Sequence, residues 1–366
     1  MNTPTVGQVL GQLRAEGIAV DDARAIEALA PRPGDAQAAP LPWYVRLLMG
    51  LGAWAATGFF LGFVALLRVF DSLSSLLVFG ALLVAAATAL RRRTRHDALV
   101  QLSLSLCLAG RCMVYASLSE RGSHTAAALT AIALEGGLVV LYPDPVNRFL
   151  STGGVGLGVL ALLYALGAPV EVIAAGVVAL AALTALAWEH LGALTAGRRG
   201  EIHLPVATGL ATTLLGAVLW RPWQGRYRHH DPDLDLGLGL TGPGASASWG
   251  VALGLTLVLA WFVRRTLREH RVPGAWRWVA AAGLFGLLTA STPALVASAL
   301  VMGLALHRRN LALLGLAIAT LAIAVVQFYY RLELTLLAKA GVLVASGVLS
   351  LITRVPVEAA RRRLER

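Results

Sequence analysis

WRWVAAAGLFGLLTASTPALVASALVMGLAL, residues 276–306, is the stretch on which the topology of this chain turns. It carries a single charge, Arg277. Its apolar part, 279–306, is too long for one upright helix rising about 1.5 Å per residue through a hydrocarbon layer about 30 Å thick. It is short for two. Ser291, Thr292 and Pro293 sit at its middle. Proline cannot donate to a helical ladder and disfavours helix at the residue before it. The pattern predicts two short helices turning near Ser291–Pro293, and the number of crossings depends on that turn.

The composition says why crossings are the right unit. The chain has 366 residues, of which 57% are hydrophobic and only 14% charged. Mean hydropathy is +0.70. A soluble domain is nearer a quarter charged, and one this apolar would leave large greasy patches in water. A soluble enzyme, a disordered chain and a disulfide scaffold are excluded. What remains is an all-α, polytopic helical membrane protein. Further spans are read at 47–67, 72–90, 98–118, 125–142, 149–167, 169–188, 203–220, 246–263, 311–328 and 334–353. With two crossings in 276–306 the total is about twelve; the alternative for this hairpin is a short, partly re-entrant one.

Charge decides the count. The net charge is +11, and every basic residue except Lys339 is Arg. These residues form short clusters between apolar runs, as topology determinants do, so nucleic acid is not an expected partner. With the N-terminus inside and 276–306 crossing twice, 23 Arg lie on the cytoplasmic side and 6 outside. A single crossing would send Arg308, Arg309 and the C-terminal cluster outward, against the positive-inside bias. The expectation is a multi-pass protein of the bacterial inner membrane with both termini in the cytoplasm.

The domains follow. Residues 1–41 hold no long apolar run, so no cleavable signal peptide is expected. Val6, Leu10 and Leu13 have helical spacing, and a Pro-rich linker follows, PRPGDAQAAPLP. This is read as a short cytoplasmic helical segment on a stiff tether. Residues 42–354 are the transmembrane domain and 355–366 a basic cytoplasmic tail. Trp43, Tyr44, Trp188, Trp220, Trp223, Trp249, Trp276 and Trp278 fall at span ends, where interfacial anchors sit. Gly58 with Gly62, and Gly154 with Gly158, have the spacing of close helix contacts. Cys107 and Cys112 point about 140° apart on a helix and are read as small core residues, not a disulfide.

Ionisable groups inside spans are costly and mark candidate sites. Arg111 lies in the third span about 20 Å above the inner edge, and Glu135 in the fourth about 15 Å below the outer edge. In a core about 30 Å thick these depths nearly match, which predicts an intramembrane ion pair gripped by two guanidinium donors. Tyr329, Tyr330, Glu333 and Lys339 form a candidate outer polar pocket. The loop 221–245 carries His229, His230, Asp231, Asp233 and Asp235, without the spacing of a metal site. GGVGLG at 153–158 has neither a preceding strand nor a following Lys, so it is no phosphate loop. No catalytic, cofactor or metal constellation is read anywhere in the chain.

Three strings carry a resemblance: PWYVRLLMGLGAWAATGFFLGF at 42–63, EGGLVVLYPDPVNRFLS at 135–151 and FYYRLELTLLAKAGVLVASG at 328–347. Together they resemble the bacterial multi-pass membrane family of unknown function called domain-of-unknown-function family 4401. The matching positions are Trp43, Arg46, Gly50, Trp54, Glu135, Pro143, Arg148, Tyr330, Leu336 and Lys339. The resemblance implies no assigned activity. It does imply a membrane-associated partner carrying a GDYxxLxY motif.

Three functions are weighed. A structural or assembly component of an envelope complex fits the short loops, the implied partner and the lack of enzyme motifs. A transporter or permease with a midplane polar site fits the span count, the buried ions and a faint repeat at an offset of 165. A membrane-embedded enzyme acting on a lipid-linked substrate lacks any acid, base or metal cluster.

Overall fold

The computed structural model describes residues 43–190 apart from 67, 69, 70 and 95, then 200–220, 245–269 and 274–331 apart from 291, with residues 11 and 15. Among these residues lie eleven helices: α1 (Trp43–Leu66), α2 (Leu73–Arg93), α3 (Asp97–Glu120), α4 (His124–Leu141), α5 (Pro145–Ala165), α6 (Val170–Glu189), α7 (Gly200–Trp220), α8 (Ala245–Glu269), α9 (Ala275–Leu288), α10 (Pro293–His307) and α11 (Leu311–Arg331). The first eight are long and apolar enough to cross a membrane. Lipid offers no partner for backbone N–H and C=O groups, so each span closes its own ladder. The segments 1–41 and 355–366, the loop 221–244 and the span 334–353 lie outside the described residues, apart from 11 and 15.

Local chemistry sets the helix ends. Ser72 opens α2 by accepting from the Ser75 amide at 3.0 Å, and Arg91, Arg92 and Arg93 close it against the negative end of the helix dipole. Asp144 opens α5, its Oδ1 accepting from the amides of Val146 at 2.9 Å and Asn147 at 3.0 Å. Pro145 takes the first helical position, where its missing N–H is not needed. Helix α5 therefore begins four residues before the hydropathy boundary at 149, which brings Asn147 and Arg148 into it.

The long apolar run breaks where its proline stands. Helix α9 ends at Leu288 and α10 starts at Pro293. At about 21 and 22 Å each is shorter than a hydrocarbon core. Both flanks of the run lie at one end of the bundle. Arg265 of α8 pairs with Glu189 at the end of α6. Arg308, just past α10, donates to Trp188 O at 3.1 Å and Glu189 O at 2.6 Å. The chain leaves this end after α8 and is back at it after α10.

Helix α10 is the hub of the second half. It packs on α8, α11 and α7, and buries Ala294, Val296, Ala297, Leu300, Val301 and Leu304. A helix apolar on all sides is one surrounded by others. The first half has a smaller core of Val84, Ala87, Cys107, Leu138 and Tyr142 across α2, α3 and α4. Helix α5 joins the halves through α7. Phe59, Leu66, Val140 and Leu311 face outward, where lipid is their natural contact.

Three expectations need correction. Gly58 and Gly62 lie on an exposed face of α1, and a Cβ added at either meets nothing within 4 Å. The close glycine crossing is instead Gly80 on Gly110, between α2 and α3. Gly154 and Gly158 do pack closely, against Glu135 and against Ile132 and Ala131 of α4. Cys112 is exposed while Cys107 is buried, because their angular separation allows only one to face the bundle. Trp188 is no interfacial anchor: it is 1% exposed and its indole N–H donates to Ala207 O at 2.8 Å. Trp220, Trp276 and Trp278 are exposed at helix ends.

Candidate functional site: a buried arginine–glutamate cluster

Three helices build the cluster. Arg111 lies on the face of α3 that also buries Cys107, Gly110 and Val114. Glu135 shares the buried side of α4 with Ala128 and Leu138. Asn147 and Ser151, four residues apart on α5, present two polar groups on one face. Gly154 continues that face, and its lack of a side chain admits the carboxylate: a Cβ there would lie 2.7 Å from Glu135 Cγ.

The structure brings Arg111 and Glu135 together. Arg111 Nη1 donates to Glu135 Oε2 at 2.6 Å and lies 3.2 Å from Ser151 Oγ. Nη2 donates to Asn147 Oδ1 at 2.5 Å. The other carboxylate oxygen, Oε1, accepts from Tyr115 OH at 2.8 Å. The grip is thus not the expected two-donor fork on one carboxylate. One guanidinium nitrogen takes glutamate and serine, and the other takes asparagine. Both charged side chains are sealed, at 4% and 5% exposure. An ion pair this buried holds only when further hydrogen bonds meet its remaining groups, and Tyr115, Asn147 and Ser151 supply them. Arg111 Nε and Asn147 Nδ2 have no partner among the described residues.

A second layer fixes these helices at their Arg-rich end. Ser103 Oγ donates to Val100 O at 2.8 Å, so it accepts from Tyr142 OH at 2.7 Å. Asp144 Oδ2 lies 3.6 Å from Arg91 Nε. Arg92 Nε donates to Leu141 O at 3.0 Å, and Arg148 Nε to Val139 O at 3.2 Å. The string from Glu135 to Ser151 therefore works as one unit: its turn ties α4 and α5 to α2 and α3, and its two ends close on Arg111.

A cleft of about 690 Å³ lies on the far side of the cluster. Ser119, His124, Tyr164 and Trp220 stand at helix ends along it, and Tyr115 and Gly154 lie deeper. Arg111 and Glu135 do not line it, but both deep residues touch Glu135.

Tyr115, Asn147 and Ser151 were missed by sequence reasoning, although a signal existed. Tyr115 follows Arg111 by four residues and Ser151 follows Asn147 by four, the spacing of one helix face. Tyr329 and Tyr330 lie in the last turn of α11, but their side chains, and Glu333 and Lys339 altogether, lie outside the described residues. So do His229, His230, Asp231, Asp233 and Asp235. No group of three metal-ligating side chains occurs among the described residues. Residues 153–158 are continuous helix within α5, so the glycines there form no phosphate loop.

Apolar helices of spanning length, packed around a sealed ion pair, define a multi-pass helical membrane protein. Residues 42–358 match the family described as "Domain of unknown function (DUF4401)", and the chain belongs to that family. No curated protein and no solved structure matches it.

Proposed function

We propose that this chain is a non-catalytic structural or assembly component of an envelope complex in the bacterial inner membrane. It crosses twelve times, with both termini in the cytoplasm. The observation that carries the reading is the closure of the Arg111 cluster: both charges are sealed, and all their polar atoms but Arg111 Nε are spent on tying α3, α4 and α5 together. A charge pair used this way holds a scaffold in register instead of meeting a substrate. The partner implied by the family resemblance is a membrane-associated protein with a GDYxxLxY motif. Pull-down of the intact chain from native membranes, followed by mass spectrometry, should enrich one such protein in near-equal amount. Recovery of the chain alone would overturn the reading.

Transport is the second reading, and one observation favours it. The cleft of about 690 Å³ reaches Tyr115, whose hydroxyl donates to Glu135. A solute in the cleft would meet that carboxylate by displacing one hydroxyl. Loss of solute uptake in Tyr115→Phe, with the protein still folded, would favour transport over the scaffold reading.

The orientation has its own test. Reporter fusions after residues 196 and 308 should read cytoplasmic, and a fusion at 235 external. The reason is the excess of 23 Arg over 6. An external reading at 308, or a cytoplasmic one at 235, would break the twelve-crossing topology.

A further inference from the structure

A second groove lies between α2 and α4, on a different face of α4 from the cleft at Tyr115. Both helices pack on α3, but they leave a channel between them of about 770 Å³, floored by Val114. Small residues, Ala81, Ala85 and Ala89 on α2 with Ala133 and Gly137 on α4, make room in it between larger ones such as Leu134 and Leu138. A Cβ added at Gly137 meets nothing within 4 Å, so this wall is open space. The channel runs from Leu77 to Arg92, a length of about 22 Å along α2. One leaflet is about half of the hydrocarbon layer of about 30 Å, so an acyl chain in the leaflet at the Arg92 end would fill about two-thirds of this length.

One end of the channel is charged. Arg92 and Arg93 both line it there. Arg92 bridges the two walls, since its Nε donates to Leu141 O on α4 at 3.0 Å. The neighbouring acid, Asp144, is already engaged by Arg91 at 3.6 Å and by the first amides of α5. The mouth is therefore positive, while the rest of the channel is almost wholly apolar. A planar guanidinium suits phosphate oxygens better than any other side chain. Basic pockets between transmembrane helices recognise anionic lipid head groups for this reason.

We propose that the groove between α2 and α4 holds an acyl chain of an anionic phospholipid whose phosphate sits on Arg92 and Arg93. This site is independent of the scaffold and transport readings. The lipid fills the gap that α2 and α4 leave over α3, and its head group completes the belt of contacts at Arg91, Arg92 and Asp144.

The test is native mass spectrometry of the detergent-purified full chain titrated with phosphatidylglycerol or with phosphatidylcholine of the same acyl chains. The wild type should bind phosphatidylglycerol in preference. Replacing both Arg92 and Arg93 by Gln should weaken that binding about 30-fold, at about fivefold per arginine. Gly137→Leu keeps both charges, and a Cβ there meets nothing within 4 Å and faces the channel, so it should fold as the wild type does. It should weaken binding about tenfold by displacing roughly two methylenes of the acyl chain. Glycerol phosphate, which has the head but no tail, should not compete. Equal binding of the two lipids by the wild type would overturn the proposal, as would full competition by glycerol phosphate. Undiminished phosphatidylglycerol binding by Gly137→Leu would do the same.

Discussion

Arg111→Ala and Glu135→Ala are each expected to cost about 3 to 5 kcal/mol of stability, the range for breaking a buried ion pair from one side. Each single change leaves a charge among apolar helices with its main partner gone. Losing Arg111 strands the Glu135 carboxylate on one hydroxyl, Tyr115 OH at 2.8 Å, and also empties the contacts to Asn147 and Ser151. Losing Glu135 strands the guanidinium on Asn147 and Ser151, and frees Tyr115. The double mutant removes both charges, so its loss should fall short of the sum by about 1 to 3 kcal/mol. The measurement is a double-mutant cycle by reversible unfolding in bicelles. Strict additivity would mean that the two charges do not sustain each other.

The second large effect is steric. At the crossing of α2 and α3, a Cβ on Gly80 would lie 2.7 Å from Gly110 O and 2.9 Å from Met113 Cβ. A Cβ on Gly110 would lie 2.7 Å from Gly80 O and 3.0 Å from Leu83 Cβ. The nearest atom is backbone in both cases, so the helices must part. Gly80→Ala and Gly110→Ala should each destabilise by about 1 to 3 kcal/mol, as overpacking does. Gly58→Ala and Gly62→Ala, which meet nothing within 4 Å, should stay within about 0.5 kcal/mol or gain from better helix propensity. The same unfolding assay on all four variants checks this. Equal losses at the two pairs would contradict the crossing.

Much of the site is legible in the sequence. Counting the rise per residue placed Arg111 and Glu135 at nearly one depth, and short loops made their helices neighbours. What the count could not supply was the first turn of the third helix and its place beside the pair. Hydropathy started the fifth span at 149, because Asp144, Asn147 and Arg148 look like a loop. In the fold Asp144 caps the helix, Arg148 spends its Nε on Val139 O, and Asn147 and Arg148 are helical. Asn147 thus joins the cluster from a segment that hydropathy alone places outside the membrane, while Ser151 lies within the expected span.

By itself the sequence determined the class of protein, its series of apolar helices, eight of them of spanning length, the break before Pro293 and the levelling of Arg111 with Glu135. All of these follow from one rule acting along the chain: in lipid the backbone must satisfy itself, and charge and proline are costly where they fall. Which face of each helix meets another helix was decided only by the tertiary structure. Gly80 and Gly110 cross while Gly58 and Gly62 lie open; Cys107 is buried while Cys112 is not; Trp188 sits in the core and Trp220 at the rim. Lipid tails are as apolar as a leucine face, so hydropathy does not separate a helix contact from a lipid contact. That choice rests on shape and on hydrogen bonds between helices, and both exist only once the helices have met.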